Sequence, residues 1–315
     1  MAINRASISK ELLPGLNAVF GTEYGQVADE HAPLFEVENS DRAFEEEVLF
    51  TGFGTAPTKG EGESISYDNA QESYTARYDN ETIALAFAVT EEAMEDNLYD
   101  TFAKLRAKGL ARAMANTKQV KAAKIYNNGF STAGADAIGD GQPFFSDSHP
   151  TISAGVQTNT ATGAALSEAA IETAVIQIQK QEDDRGILIG AQSVSLHVPT
   201  DLIFTANQIL GSDYSTAIGV NPTTAANGAT NVNDINAIKS MGMMPGGIFV
   251  NRRFSDINAW FIKTDIPNGT KMFNRTPLQT KMEPDFDTGN LRFKARERYS
   301  FGVSDWRGWF GNAGA

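Results

Sequence analysis

The sequence predicts an α+β protein in which a long helix and a long terminal strand frame a mixed central region. The first observation is a helical stripe with graded charge between Thr90 and Tyr126. The second is the alternation of apolar and basic residues from Leu291 to Val303. The third is a Gly- and Pro-rich segment, TGFGTAPTKGEGES, between two strand-like stretches. The length of 315 residues sets a soft prior of about two domains.

The composition excludes several classes of function. The chain has no cysteine, so disulfides and thiolate-ligated zinc are excluded, and a cytoplasmic protein is the simpler interpretation. A formal net charge of −13 argues against a dedicated nucleic-acid binder but is compatible with a container for nucleic acid. The sequence contains neither a run of eighteen apolar residues nor the continuous apolar region of a secretory signal.

The N-terminal part is predicted to form an arm followed by a projecting hairpin. Residues 1–40 show no clean period and contain five Gly or Pro residues, which predicts an extended arm with one short helix. Val48–Phe50 and Ser64–Tyr78 flank the Gly- and Pro-rich segment as two strands. The apolar face of the second strand is formed by Ile65, Tyr67, Tyr74, Ala76 and Tyr78. Because an isolated hairpin is marginal in water, this one needs a surface to lie on.

A long helix is predicted after a buried strand at Ile83–Val89. Thr90 can cap a helix that continues to about Tyr126, which at ~1.5 Å per residue is about 54 Å long. Its apolar stripe consists of Met94, Leu98, Phe102, Leu105, Gly109 and Ala113. Acidic residues fill its start and basic residues the remainder, an order that complements the helix dipole. Few compact enzymes of this size need a helix of this length.

Shorter helices and strands alternate through the second half of the chain. After a loop over residues 129–163, a helix is predicted to follow Ser167 and to end at Gly186. The remaining predicted elements are a strand over 194–198, a helix from 199 to 211, a long polar loop over 212–247, and strands over 247–251 and 259–264.

The last long strand has two chemically distinct faces. One face is apolar and consists of Leu291, Phe293, Ala295, Tyr299, Phe301 and Val303. The other is basic and consists of Arg292, Lys294, Arg296 and Arg298, which we call the basic row. Glu297 is the one charged residue on the apolar side.

Two stretches resemble a known family. Leu291–Tyr299, followed by Val303 and Trp309–Gly311, resembles the closing strands of HK-97-type tailed-bacteriophage major capsid (head) proteins. PFFSDSHP (Pro143–Pro150) resembles a Phe-Ser-x-x-His-Pro loop of the Mu-type head-subunit branch. Together they cover about a tenth of the chain, and the order of the predicted elements matches that family along the remainder.

The resemblance implies an HK-97-type α+β fold with an N-terminal arm, an E-loop hairpin, a peripheral domain with a long spine helix, and an axial domain. The implied boundaries are 1–40 for the arm, 41–89 for the E-loop hairpin and its base, 90–163 for the peripheral domain with the spine helix, 164–270 for the axial domain, 271–304 for return strands to the peripheral domain, and 305–315 for a C-terminal strand to the axial domain.

The function implied is structural, without catalysis. The chain would self-assemble into pentamers and hexamers of an icosahedral or prolate phage head that encloses double-stranded DNA without sequence-specific binding. The implied partners are further copies of the chain, a scaffolding protein, a portal and a decoration protein, with no membrane, cofactor or metal. The protein would be assembled in the host cytoplasm and located in the virion. Many relatives begin with a scaffolding segment that is later removed, whereas Met1 stands about 40 residues before the loop. If Met1 is the native start, scaffolding is expected from a separate protein or is dispensable; the alternative is a mature product from which such a segment was removed.

The resemblance also places two surfaces at subunit boundaries. The first is the E-loop tip, formed by Gly54, Thr55, Pro57, Lys59 and Glu61. Some relatives cross-link a loop lysine to a neighbour's asparagine, but a solvated charge is the simpler interpretation of Lys59. The second is the basic row, for which Glu45, Glu46 and Glu47 of a neighbour are the expected acidic partners.

Other functions remain open as alternatives. Within the same fold, an encapsulin-type nanocompartment would hold a cargo enzyme instead of a genome. From another class, a hydrolase could use Ser146, Asp147 and His149, although these lie too close in sequence to form a triad and no GxSxG accompanies them. Lys59 precedes its glycine, so the loop is not a P-loop, and Asp285–Gly289 fits a hairpin turn better than a calcium loop.

Overall fold

The computed structural model describes residues 8–90, 92, 99–131, 137–214, 235–285 and 288–315. The described helices are α1 (Ile8–Gln26), α2 (Tyr99–Asn127), α3 (Glu168–Gln179), α4 (Ile203–Gly211) and α5 (Ala237–Ser240). The strands are β1 (Glu36–Asn39), β2 (Phe44–Phe50), β3 (Glu72–Asp79), β4 (Glu81–Val89), β5 (His149–Pro150), β6 (Val156–Gln157), β7 (Ser193–Val198), β8 (Ile248–Val250), β9 (Trp260–Thr264), β10 (Thr270–Pro284), β11 (Leu291–Val303) and β12 (Trp309–Asn312). In this part of the chain, no helix has the length and apolar character needed to cross a membrane.

Two four-stranded sheets and two hairpins organise these elements. The first sheet has the order β1-β10-β11-β4, and the second has the order β12-β9-β7-β8. The strands β2 and β3 form one hairpin, and β5 and β6 form the other. The chain leaves the second sheet after β9, forms the long β10–β11 hairpin of the first sheet, and returns to pair β12 with β9. Asp285 and Gly289 lie in the turn of that long hairpin, as predicted, and residues 286 and 287 lie outside the described residues.

The apolar face of the first sheet is covered by α1 and α2. Phe293 and Ala295 of β11 pack in one core with Leu16 and Phe20 of α1, and all four are buried. The burial pattern of β11 alternates along its first seven residues, which confirms the predicted two-faced strand. The basic row therefore faces away from both helices.

The apolar stripe predicted for the spine helix α2 is wrong. Leu105 is 63% exposed, and Gly109 is exposed as well. The part of the buried face that packs with α1 and the first sheet consists of Ala103, Ala107, Leu110, Ala111 and Met114. Alanines let the helix approach the sheet closely, so the packed face follows the small residues rather than the large ones. Met94 and Leu98 lie outside the described residues, and the 29 residues of α2 span about 43 Å.

The extended arm with one short helix is also wrong, because α1 continues for 19 residues. Pro14 and Gly15 lie within this helix. Leu16 and Phe20 are each 2% exposed and pack against α2 and β11, so tertiary burial outweighs the poor helix propensity.

A second core lies around the second sheet. Leu196 and Val198 of β7 pack there with Trp260 of β9, Phe310 of β12 and Ile171 of α3. Both faces of β7 are buried, as expected for a central strand. The strands predicted over 194–198, 247–251 and 259–264 and the helix ending at Gly211 are confirmed.

The helix after Ser167 is confirmed at its start and wrong at its end. The Ser167 side chain accepts a hydrogen bond from Ala170 N and so caps α3. The helix ends at Gln179, and Gly186 instead occupies a turn between Glu182 and Leu188 with φ of +80°. A glycine with positive φ serves a tight turn as readily as a helix end, so the sequence signal was ambiguous.

Candidate intersubunit surfaces

The β2–β3 hairpin is the base of the predicted E-loop, and two tyrosines, Tyr74 and the buried Tyr78, fasten it to the rest of the chain. Tyr74 donates a hydrogen bond to the Ser304 carbonyl at 3.0 Å, and the Tyr78 hydroxyl contacts Ser304 Oγ. Glu47 accepts hydrogen bonds from Ser304 and from Lys271, the latter at 2.5 Å. Burial alone would lower the pKa of Lys271, but its hydrogen bonds to carboxylates outweigh this effect and raise the pKa. The base of the loop is therefore fixed in the subunit.

Residues 51–71 link the two strands without regular secondary structure. The second strand was predicted to begin at Ser64, but β3 begins at Glu72. Ile65 and Tyr67 are 69% and 96% exposed, because the Gly- and Pro-rich limb opposite them offers no strand to pair with. Tyr74, Ala76 and Tyr78 share the predicted apolar face.

The predicted tip residues fall into two groups. Thr55, Pro57, Lys59 and Glu61 are exposed. Gly54 is half-buried and donates its N–H to Asp68 Oδ2 at 2.7 Å. The four exposed residues are thus free to meet a neighbour, while Gly54 makes a contact inside the loop.

Asp68 connects the loop to a distant turn of the same chain. Arg185 Nη2 donates to both carboxylate oxygens of Asp68, at 2.6 and 2.8 Å. The hydrogen bonds from Arg185 lower the pKa of Asp68 to about 2. Neither residue was singled out from the sequence, because they are 117 positions apart and belong to no recognisable motif.

The basic row lies on the exposed face of the first sheet. Arg292, Lys294 and Arg296 are exposed, and Arg298 is half-buried. The row runs beside Ala84, Ala86 and Ala88 of β4 and beside Gln279, Lys281 and Glu283 of β10. The flanking alanines leave the cationic heads accessible from above the sheet.

Not every member of the row is free for a neighbour. Arg292 forms an ion pair with Asp285 of its own chain at 2.5 Å. Lys281, together with Lys294, lowers the pKa of Glu283. Arg296 makes no ion pair with any residue that the structure describes, and Arg298 Nε has no hydrogen-bond partner there. The cations that remain available are chiefly Lys294 and Arg296.

The expected acidic partners of the row already have contacts within their own chain. Glu47 is bound to Lys271 and Ser304. Glu46 lies 3.6 Å from Arg77, and Glu45 accepts a hydrogen bond from Ser40. The sequence showed three adjacent glutamates but not that the loop base would use them internally.

The basic residues of α2 are largely paired within the chain. Arg112 binds the carboxylate of Glu23 in α1 at 2.5 Å. Lys118 approaches Glu297 at 3.5 Å, and Lys121 pairs with Glu81. These side chains hold the helix to its neighbours.

The Ser146–His149 loop lacks the geometry of a hydrolase. The Ser146 hydroxyl contacts Ser148 Oγ at 3.1 Å and not His149. His149 is buried, with Nδ1 at 2.6 Å from Asp140 and Nε2 at 3.1 Å from Asn159 Oδ1. Because Asp140 and Asn159 occupy the two ring nitrogens, His149 is not placed as a general base for Ser146.

Asn159 explains why this loop is so polar. Its amide group donates to the carbonyls of Phe144, Trp306 and Trp309, at 2.8, 3.1 and 3.3 Å. The ring of His149 stacks on Trp306 at 4.3 Å. The loop thereby fastens the C-terminal segment, which is a structural role. Among the described residues, no group of three His, Cys, Asp or Glu could hold a metal ion.

These features define a subunit that has anchored projections and charged outer faces, as a shell-forming protein needs. The sequence profile of a family described as phage capsid protein matches residues 73–312. The chain therefore belongs to the phage capsid protein family, and its function is that of a structural capsid protein. Its place is the capsid of the virion.

Solved structures share this fold at low identity. The capsid of an empty GTA particle is 13% identical, with 91% of this chain and 90% of that chain covered and a TM-score of 0.56. The virus-like particle from Pyrococcus furiosus is 9% identical, with coverages of 95% and 98% and a TM-score of 0.51. The structure from Mycobacterium phage Adephagia is 13% identical, with coverages of 87% and 83% and a TM-score of 0.50.

The comparisons confirm the HK-97-type α+β fold expected from the resemblance. The phage family profile favours a phage capsid over an encapsulin-type shell. A search of curated proteins found no match. The Mu-type branch and the domain boundaries stay predictions.

Proposed function

We propose that this chain forms the pentamers and hexamers of an icosahedral or prolate phage head around double-stranded DNA, and that its E-loop tip rests on a neighbouring subunit. The observation that carries the proposal is the contrast between the two ends of the loop. Tyr78, at the base, is 2% exposed, while the tip residues Thr55, Pro57, Lys59 and Glu61 are all exposed. A rigidly based projection with an exposed tip suits a contact that forms on assembly.

The basic row offers the surface on which a neighbour would lie. Lys294 and Arg296 are exposed on a sheet face that α1 and α2 do not cover. Glu61, an exposed acidic residue of the loop tip, is proposed to meet them. Lys59 is proposed to remain a solvated charge.

The remaining roles follow from the same proposal. The elements around the first sheet form the peripheral domain, and those around the second sheet form the axial domain. A scaffolding protein, a portal and, in heads that carry one, a decoration protein complete the assembly in the host cytoplasm. DNA is enclosed without sequence-specific contacts, and no catalytic step is assigned.

Deletion of Thr55–Glu61 tests the loop contact. The deleted residues are exposed and contribute nothing to either core, so the subunit should keep its melting temperature. Shell yield, measured by sedimentation, should collapse. A Gly/Ser replacement of the same length separates the chemistry of the tip from the length of the loop and should also assemble poorly. Normal shells from both variants would show that the tip makes no assembly contact.

A further inference from the structure

The E-loop is attached to its own subunit at a second point, far from its base. Arg185 Nη2 bonds both oxygens of Asp68, at 2.6 and 2.8 Å. Asp68 Oδ2 also accepts the N–H of Gly54 on the opposite limb of the loop, at 2.7 Å. A single carboxylate therefore joins both limbs of the loop to the turn that carries Arg185.

That turn is itself well fixed. Asp183 Oδ1 accepts the backbone N–H groups of Arg185 and Ile187, at 2.8 and 2.9 Å. The next residue, Asp184, pairs with the buried Arg307. The Arg185 side chain is only 19% exposed, so its guanidinium group is presented in a defined position. A loop bound to it acquires that position as well.

The loop approaches this turn closely. A Cβ atom added to Gly52 would lie 3.1 Å from Asp183 Oδ2, at the tight end of van der Waals contact. One added to Gly54 would lie 3.3 Å from Asp68 Oδ2, inside the loop, and 3.8 Å from Arg185 Nη2. Gly52 thus lies at the contact between the loop and the turn, and Gly54 lies beside the pair that joins them.

We propose that the Asp68–Arg185 pair is a latch that pre-organises the E-loop for its contact with a second copy of the chain. The proposal rests on the loop contact proposed above. Residues 51–71 have no regular structure, and fixing so long a segment on association would oppose assembly through lost conformational entropy. Because the latch already orders the loop in the free subunit, less conformational entropy is lost when subunits associate.

The latch should matter for assembly and little for subunit stability. Asp68 is 43% exposed, and exposed ion pairs contribute little to folding because water and salt screen them. Its effect should appear instead in the freedom of the loop.

The test uses the full-length chain with Asp68→Asn, Arg185→Gln and the double variant. The amide introduced by Asp68→Asn keeps an acceptor for the Gly54 N–H but lacks the charge that Arg185 binds. In unassembled subunits, trypsin should cut after Lys59 several-fold faster in each variant, as followed by fragment mass. The subunit concentration at which shells form should rise several-fold, with an unchanged melting temperature. The double variant should be no worse than either single variant, because all three lose the same contact.

Asp213→Asn is the matched control. Asp213 is an exposed residue paired with Lys239 at 2.6 Å, in a different part of the fold from the loop. The same change of charge should leave both the cleavage after Lys59 and the assembly threshold at their wild-type values. An equal effect from this control would show that the change in net charge, and not the loss of the Asp68–Arg185 pair, causes the effect. The latch proposal would then be wrong.

Two further outcomes would overturn the proposal. Unchanged cleavage after Lys59 would show that the pair does not hold the loop. Faster cleavage with shells forming at the same or a lower concentration would show that holding the loop does not aid assembly. The deletion of Thr55–Glu61, run in parallel, keeps the two proposals apart. If it abolishes shells while the latch variants assemble normally, only the latch is wrong; if it assembles normally, the loop contact itself is wrong.

Discussion

Glu297 shows how one residue can break the pattern of its strand and still stabilise the fold. It is the charged residue on the apolar face of β11, and it is 1% exposed. Lys118 of α2 lies 3.5 Å from its carboxylate, and Tyr24 of α1 donates to it at 3.3 Å. The carboxylate thus joins both helices to the sheet. Burial raises the pKa of Glu297, against the opposing effect of Lys118.

The raised pKa of Glu297 predicts a specific pH dependence. Above the ordinary carboxyl pKa of 4.5 and up to the raised native value, the unfolded chain has released this proton while the folded chain retains it. The unfolded state then binds fewer protons, so the contribution of Glu297 to the free energy of unfolding falls as pH rises. Glu297→Gln should remove this contribution, which chemical denaturation of unassembled subunits between pH 4 and pH 8 can measure. A wild-type pH profile in the variant would contradict the account.

The packing of Tyr78, which fastens the base of the E-loop, requires a glycine at position 302 of β11. A Cβ added there would lie 2.5 Å from Cε1 of the buried Tyr78 ring. Gly302→Ala should therefore lower the free energy of unfolding by about 1–3 kcal/mol through overpacking. Gly109→Ala is the matched control, since nothing lies within 4 Å of that position in α2, and it should raise stability by about 0.5–1 kcal/mol. Urea denaturation of both variants would check the prediction, and equal effects would refute the packing argument.

At the scale of the element, β11 shows what sequence periodicity can predict. Its strict alternation identified the strand, both of its faces and the exceptional Glu297, because strand geometry fixes side-chain direction. The same reasoning failed for α2, where Leu105 of the predicted stripe is exposed and small alanines are buried. A period reveals a helix, but its buried face depends on which partner packs against it.

Charge reversal in the basic row of β11 tests its role in assembly. Lys294→Glu with Arg296→Glu reverses the middle of the row, where both side chains are exposed. Because neither contributes to the core beneath the sheet, the unassembled subunit should melt as the wild type does. Assembly should be lost or become strongly salt-dependent, as followed by light scattering.

Lys281→Glu is the control for that double variant. It lies on the same sheet face but is already paired with Glu283 inside the subunit. A smaller effect on assembly is expected from it. Normal shells from the double variant would rule out the row as a boundary surface, and an unfolded subunit would place its partners within one chain.

For the whole molecule, the order of elements and the class of protein could be predicted from the sequence. The side-chain contacts between distant elements could not. The contacts that fix the loop, Asp68 with Arg185 and Glu47 with Lys271, join positions 117 and 224 residues apart. No local pattern encodes such pairs, because only the tertiary fold brings their partners together. The Ser146–His149 loop illustrates the same limit, since its polar residues suggested catalysis and instead fasten the C-terminal segment.

Electron microscopy of the purified chain would show directly whether it forms a shell. We expect rings of five or six subunits, or closed shells, once concentration and salt favour association and scaffolding protein is supplied. Loss of these particles on deletion of Thr55–Glu61, with the subunit still folded, would trace them to the loop contact. A monodisperse monomer at high concentration across salt conditions, with scaffolding protein present, would contradict the account.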